Sequence, residues 1–85
     1  MVGYLYTGVT RDMFLWIVRE LGFPNELCRE LEHAITEDPN AAWRVHLPLG
    51  DIRWSPEGLL GVEGEYDIKT WVDVVLLQEG VEYEV

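Results

Sequence analysis

Apolar side chains return every three or four positions through the first half of the chain, which is the spacing of amphipathic helices. The first predicted helix runs from Arg11 to Leu21, with Thr10 as its N-cap. The second runs from 26 to 37, with Asn25 in the capping position. The predicted buried faces are Phe14, Ile17, Val18 and Leu21 in the first helix and Leu27, Leu31, Ala34 and Ile35 in the second.

In the second half the apolar pattern changes to a period of two, which is typical of strands with one buried side. Strands are predicted at residues 43–47, 52–55 and 59–66, and a further strand at 2–6 precedes the first helix. Turn sequences rich in Pro and Gly, such as PLGD and PEG, separate the later strands.

Residues 67–78 fit two patterns. Their valine-rich alternation predicts a strand, whereas the TWVD segment could be a capping box at the start of a helix. The helical stripe would then consist of Ile68, Trp71, Val72, Val75 and Leu76. We favour the strand, because the EG dipeptide that follows can make a two-residue hairpin turn into a last strand, VEYEV.

These elements predict one α+β domain over residues 1–85, in the order β-α-α-β-β-β-β-β. The N-terminal strand and the two amphipathic helices are expected to pack on an antiparallel meander that ends with a strand at 81–85. Eighty-five residues are too few for two independent cores. A hydrophobic content of 48% is enough for a folded chain rather than a disordered one.

The net charge of −10 is unevenly distributed. Residues 1–56 hold eight acids and five bases, which gives −3, whereas residues 57–85 hold eight acids and one base, Lys69, which gives −7. Such a field repels nucleic acids and anionic membranes and attracts basic surfaces. We therefore expect a basic protein surface as the partner, with no direct binding to nucleic acid or membrane.

The sequence contains few of the patterns that catalysis or metal binding requires. Cys28, the single cysteine, lies close to the apolar stripe of the second helix and is expected to be a small core side chain. The ELEH segment, residues 30–33, has the Glu-x-x-His spacing of di-iron bundles, but the chain offers no second copy of it. No Gly-rich phosphate loop is present. We expect no enzyme activity, no metal and no cofactor.

The expected location is the cytoplasm. A single cysteine cannot form an intramolecular disulfide, which fits a reducing compartment. The N-terminus lacks the basic region and long apolar stretch of a secretion signal, and no apolar run approaches the 18 or so residues that a membrane span needs.

Carboxylates occupy alternate positions of the VEGEYD segment, residues 62–67, and again of VEYEV, residues 81–85. In a strand, such carboxylates share one side and lie about 6.7 Å apart, which is similar to the spacing of phosphates along a nucleic-acid strand. The residues between them are expected in the core: Val62, Tyr66, Ile68, Val81, Tyr83 and Val85. The predicted interaction surface consists of Glu63, Glu65, Asp67, Asp73, Glu82 and Glu84.

Trp16 falls outside the apolar stripe of its helix, between Asp12 and Glu20 on the polar side. It either packs under a neighbouring loop or strand, or it is an exposed aromatic anchor for a partner. We include Trp16 in the predicted interaction surface.

Two hypotheses explain the carboxylates. In the first, they protect edge strands from pairing with other chains and keep the protein soluble. In the second, they occupy the basic, nucleic-acid-binding surface of a partner protein and so mimic nucleic acid. In size, charge and lack of catalytic residues, the chain resembles the small acidic phage proteins that block nucleases, restriction enzymes, CRISPR effectors (the anti-CRISPR proteins) or DNA-repair glycosylases. This resemblance is one of class and rests on no motif.

An alternative function is that of a structural or interaction module that self-assembles through aromatic and apolar surface, for example as a homodimer. The acids would then serve only solubility and edge protection. An immunity protein against a basic toxin nuclease would share the electrostatics of the mimic. The salt dependence of binding distinguishes the nucleic-acid mimic from the self-assembling module, because the affinity of a charged interface falls steeply with salt and that of an apolar interface does not.

Overall fold

Residues 2–78, which the computed structural model describes, form three helices and a four-stranded antiparallel sheet. The predicted α+β class is confirmed. In chain order the elements are β1 (Val2–Tyr6), α1 (Arg11–Glu20), α2 (Asn25–Glu37), β2 (Trp43–Leu47), β3 (Gly50–Trp54), β4 (Leu60–Gly64) and α3 (Tyr66–Gln78). The strand predicted at 81–85 lies outside the described residues.

The strands lie side by side in the order β1-β4-β3-β2, so that the first strand pairs with the last of the four. Side chains alternate between the two sides of a sheet, and the helices pack on one side only. The buried strand residues all share that side: Tyr6, Val45, Ile52, Trp54, Leu60 and Val62. Among the described elements, no helix covers the opposite side, which we call the open face.

Trp54 joins the sheet to α1. Its indole ring stacks on Phe14 with the ring centroids 5.2 Å apart and the planes within 9° of parallel. The indole N–H donates a hydrogen bond of 2.8 Å to the carbonyl oxygen of Val9, in the connection between β1 and α1. The large buried ring therefore keeps its polar group satisfied, which a buried Trp requires.

One predicted N-cap is confirmed and the other is wrong. Thr10 caps α1, because its side-chain oxygen accepts a hydrogen bond from the backbone N–H of Met13. Asn25 is the first residue of α2 rather than its cap. Pro24 takes the capping position and has no side-chain acceptor, so α2 begins without a capping hydrogen bond.

The strand predicted at 67–78 is wrong, because these residues form α3. A helix at this position brings Ile68, Val72, Val75 and Leu76 together on one side, and all four are buried against the core. A strand would have buried only every second residue. Trp71 was expected in the same stripe but lies at its margin and is 52% exposed, and Tyr66, expected in the core, is 74% exposed.

The backbones of β3 and β4 approach most closely where Gly50 and Gly64 pair across the two strands. Both glycines have positive φ angles, of 152° and 154°. A Cβ atom on Gly50 would overlap the carbonyl oxygen of Glu63, and one on Gly64 would overlap that of Leu49. Glycine at these positions therefore determines where β3 begins and where β4 ends.

We expect Gly64→Ala to destabilise the protein, because the added Cβ must push two strand backbones apart. Strain of this kind costs about 1–3 kcal/mol, and each kcal/mol lowers the melting temperature of a domain this size by about 4–8 °C. Gly3→Ala is the matched control, since its nearest neighbour would lie 3.9 Å away in ordinary contact. Thermal denaturation followed by circular dichroism measures both, and equal melting temperatures for the two variants would contradict the prediction.

Candidate protein-interaction surface

Two carboxylates meet on the open face, at the end of the sheet where β4 leaves it. Glu63 on β4 lies directly across from Asp51 on β3. Together with Gly50 and Gly64 they line a hollow of about 270 Å³. Gly50 and Gly64 contribute only backbone to this hollow, whereas Glu63 contributes an exposed carboxylate and Asp51 a partly exposed one.

Asp51 has a side-chain partner on the neighbouring strand, and Glu63 has no basic partner among residues 2–78. The Nδ1 atom of His46, across from Asp51 on β2, lies 2.7 Å from the Asp51 carboxylate. Within residues 2–78 no basic side chain forms an ion pair with Glu63. Like charges directly opposite on a sheet destabilise the pair of strands, so the Glu63–Asp51 pair carries an energetic cost.

Glu65 and Asp67 continue the negative charge beyond the sheet. The backbone N–H of Glu65 donates to the carbonyl oxygen of Leu49 in the turn between β2 and β3, which holds the β4–α3 connection against that turn. Asp67 lies in the first turn of α3, where a carboxylate also favours the helix dipole. We call Asp51, Glu63, Glu65 and Asp67 the acidic corner.

An extended VEGEYD segment would place its carboxylates in a straight row. This row does not form. The chain leaves the sheet after Gly64, and α3 begins at Tyr66. Glu63, Glu65 and Asp67 therefore lie on a strand, a connection and a helix in turn, and all three are exposed. Glu82 and Glu84 lie outside the described residues.

Asp73, further along α3, has an internal role. Its carboxylate accepts a hydrogen bond of 2.7 Å from the hydroxyl of Tyr6 and pairs with the Lys69 ammonium at 2.6 Å. The same ammonium lies 5.0 Å from the centre of the Tyr4 ring, in cation–π contact. Asp73 thus ties α3 to β1 and is not part of the acidic corner.

We expect Asp73→Ala to cost about 1–3 kcal/mol of stability, because it leaves the buried Tyr6 hydroxyl without this acceptor. Tyr6→Phe should cost less, since it removes both the hydroxyl and its need for a partner. In a double-mutant cycle by urea denaturation, the two changes should couple by about 0.5–3 kcal/mol. Additive costs would show that the hydrogen bond contributes nothing to stability.

Trp16 lies apart from the acidic corner, in a groove of about 220 Å³ between α1 and α2. Arg11 at the start of α1 bonds to Thr36 near the end of α2, so the two helices run antiparallel and the groove lies between them. None of its lining residues belongs to the acidic corner; they are Asp12, Leu15, Trp16, Arg19, Asn25, Cys28, Arg29 and Glu32. Trp16 is exposed, and its role as an anchor stays a prediction.

Cys28, in the wall of that groove, is half-buried and packs against the core. Its thiol lies 3.7 Å from the carbonyl oxygen of Phe23. Burial raises the pKa of the Cys28 thiol, and the positive charge of Arg19 opposes this by a smaller amount. A raised pKa keeps the thiol protonated at neutral pH, which disfavours a role as a nucleophile.

The open face also carries positive charge that the sequence pattern did not reveal. Arg44 on β2 lies directly across from Arg53 on β3, two residues along the strands from the His46–Asp51 pair. The Arg53 guanidinium lies over Gly61, 3.5 Å from where a Cβ would be. The open face is therefore acidic at one end and basic beside it.

Two absences apply to the described part of the chain. Among residues 2–78, no group of three or more His, Cys, Asp or Glu side chains is arranged to hold a metal ion. In the same range no helix combines the length and the apolar character that crossing a bilayer requires.

Comparison with known proteins finds no family model, curated protein or solved structure that matches the chain.

Proposed function

We propose that this chain is a small non-enzymatic binding protein that uses its acidic corner to occupy a basic surface on a partner protein. The observation that carries the proposal is the Glu63–Asp51 pair, two carboxylates held side by side above a glycine-lined hollow. The repulsion between the two carboxylates destabilises the folded protein. A cation bound between them removes this repulsion and forms charge-assisted hydrogen bonds, and both effects favour binding.

The shape of the hollow favours an arginine or lysine side chain as the group that enters it. About 270 Å³ admits the end of one such side chain but not a folded element. A guanidinium group offers several N–H donors in one plane, and can therefore contact two carboxylates at once. Glu65 and Asp67 lie next along the chain and extend the contact to neighbouring cations.

The net charge of the whole chain favours the same partner chemistry. A charge of −10 accelerates encounter with basic surfaces and opposes direct binding to nucleic acid. The large basic surfaces of cells are mostly those that bind nucleic acids, so a nucleic-acid-binding protein is the partner class we propose. Arg44 and Arg53 confine the contact to the acidic corner and the start of α3, because they would repel a basic surface laid across the entire open face.

Neutralising the acidic corner should abolish capture of the partner. The test variant carries Glu63→Gln, Glu65→Gln and Asp67→Asn. Each bait is immobilised and exposed to a cell lysate at low salt, and bound proteins are eluted with a salt gradient. We expect wild type to retain a nucleic-acid-binding protein, identified by mass spectrometry, that the variant loses. Because each ionic contact is screened, retention should fall steeply as the Debye length shortens from about 30 Å at 0.01 M to about 8 Å at 0.15 M salt.

The matched control removes the same charge from a different surface. Glu26→Gln, Glu30→Gln and Glu37→Gln change three exposed carboxylates of α2, so a loss that depends only on net charge would appear in both triple variants. Equal loss in the two would overturn the assignment to the acidic corner. Retention of the same protein by all three baits would overturn it as well.

A further inference from the structure

The groove around Trp16 takes no part in the proposed function. It has a volume of about 220 Å³, lies between α1 and α2, and shares no residue with the acidic corner. Each helix contributes four side chains at positions i, i+3, i+4 and i+7, the spacing that places residues on one side of a helix. These are Asp12, Leu15, Trp16 and Arg19 on α1 and Asn25, Cys28, Arg29 and Glu32 on α2.

Two arginines lie at one end of the groove. Because the helices run antiparallel, the last turn of α1, which holds Arg19, lies beside the first turns of α2, which hold Arg29. Burial raises the pKa of the Cys28 thiol and the positive charge of Arg19 opposes that rise, so the Arg19 side chain lies near Cys28. Arg29 follows Cys28 directly in the chain. This end of the groove is therefore basic.

No carboxylate neutralises this basic end. Among residues 2–78, no acidic side chain forms an ion pair with Arg19 or Arg29, although the whole chain has 16 acids for six Lys and Arg. Glu32 has no basic partner in the same range, although it lies only three residues from Arg29. Asp12, by contrast, pairs with Arg11 at 3.6 Å. Three charged side chains of the groove are thus available to a ligand.

An indole ring lines the groove beside these charges. Trp16 lies one turn before Arg19 on α1 and is 36% exposed. An accessible indole is a surface on which a flat ring can stack. Asp12 and Arg19 lie seven residues apart on one helix, so the groove is about 10 Å long. It therefore combines a basic end, an aromatic surface and an unpaired carboxylate within that length.

A nucleotide carries the three complementary groups in one small molecule. Its phosphate oxygens match guanidinium groups, which bind them with two parallel hydrogen bonds. Its base stacks on aromatic side chains. The amino group of guanine, adenine or cytosine donates hydrogen bonds that a carboxylate accepts.

We propose that the groove between α1 and α2 binds a nucleoside monophosphate, with its phosphate on Arg19 and Arg29, its base against Trp16 and the amino group of the base on Glu32. A net charge of −10 opposes binding of a long nucleic acid, but a single nucleotide brings only about two negative charges. The groove is smaller than the roughly 300–1,000 Å³ of sites that enclose a drug-sized ligand. The nucleotide therefore stays partly exposed, and we expect a dissociation constant of about 10 µM to 1 mM.

Titration of isotope-labelled protein with GMP, followed by NMR, tests the proposal. We expect saturable shifts of the Trp16 indole N–H, which the spectrum of Trp16→Phe identifies, and of the backbone signals of Arg19, Arg29 and Glu32. Absence of a saturable shift up to about 5 mM GMP would overturn the proposal. Inorganic phosphate or guanosine binding as tightly as GMP would overturn it too, because the base or the phosphate would then contribute nothing.

Single charge removals locate the phosphate. Arg19→Gln and Arg29→Gln should each weaken GMP binding about tenfold or more, because each removes charge-assisted hydrogen bonds. Arg44→Gln is the matched control, since it removes the same charge from an exposed arginine on the open face, and it should bind GMP like wild type. Equal weakening in all three variants would show that net charge alone governs binding and would overturn the site, as would no weakening in any of them.

Two further positions test the contacts with the base. Trp16→Ala should weaken GMP binding about 5- to 150-fold through lost stacking, and Trp16→Phe should retain most of the affinity because it keeps a flat ring. Glu32→Gln should reduce the preference for GMP over UMP, which has no amino group. If both Trp16 variants melt like wild type and bind GMP equally, the stacking contact is wrong. An unchanged base preference in Glu32→Gln would exclude the contact with Glu32.

The nucleotide site and the proposed function fail independently. The triple acidic-corner variant should bind GMP at least as well as wild type, and Arg19→Gln should still capture the basic partner. Loss of GMP binding in the acidic-corner variant would overturn the assignment to the groove. Loss of partner capture in that variant, with GMP binding intact, is the result expected if both surfaces act as proposed.

Discussion

The close approach of β3 and β4 at Gly50 and Gly64 is the constraint on which the rest of the surface depends. It marks the end of the sheet, since β4 ends at Gly64 and α3 begins two residues later at Tyr66, and a Cβ atom at either glycine would overlap the backbone of the paired segment. The same two glycines line the hollow with Asp51 and Glu63. A larger residue at either position would therefore disturb both the strand pairing and the backbone beside the hollow.

A sheet covered on one side only gives the protein two very different surfaces. The covered side contributes six of the buried core residues and is tied to α1 through Trp54 and Phe14 and to α3 through Tyr6 and Asp73. The open face has no comparable packing among the described residues, and it carries most of its side chains as charged or polar groups. There Glu63, Asp51 and His46 follow one row across the strands, and Arg53 and Arg44 the next.

Local pattern was sufficient for most of the fold. Strand 43–47 and both early helices follow from their apolar periodicity, and Thr10 also marks the start of α1, because each of these patterns fits a single type of secondary structure. The apolar pattern of residues 67–78 fits two types of secondary structure, because this valine-rich segment matches both the alternation of a strand and the stripe of a helix. Burial of Ile68, Val72, Val75 and Leu76 against elements distant in sequence decides between them, and no local feature contains that information.

The candidate site was predictable only in part for the same reason. Glu63, Glu65 and Asp67 were visible as a charge pattern, but Asp51 and His46 join them through strand register, which depends on how the β2–β3 and β3–β4 turns align the strands. Asp73 looked equivalent to the others by charge. Its contacts with Tyr6 and Lys69 become visible only when α3 lies against β1.

The pairing of β1 with β4 also has a consequence for synthesis of the chain on the ribosome. Val2 pairs with Gly64, so the first strand to emerge must wait for the last of the four before it gains a neighbour. At about 5–20 residues per second, the intervening sixty or so residues take roughly 3–12 s to synthesise. During that interval Tyr4, Leu5 and Tyr6 lack the strand with which they pair in the folded protein, whereas β2 and β3 can already form a hairpin from contacts that are close in sequence.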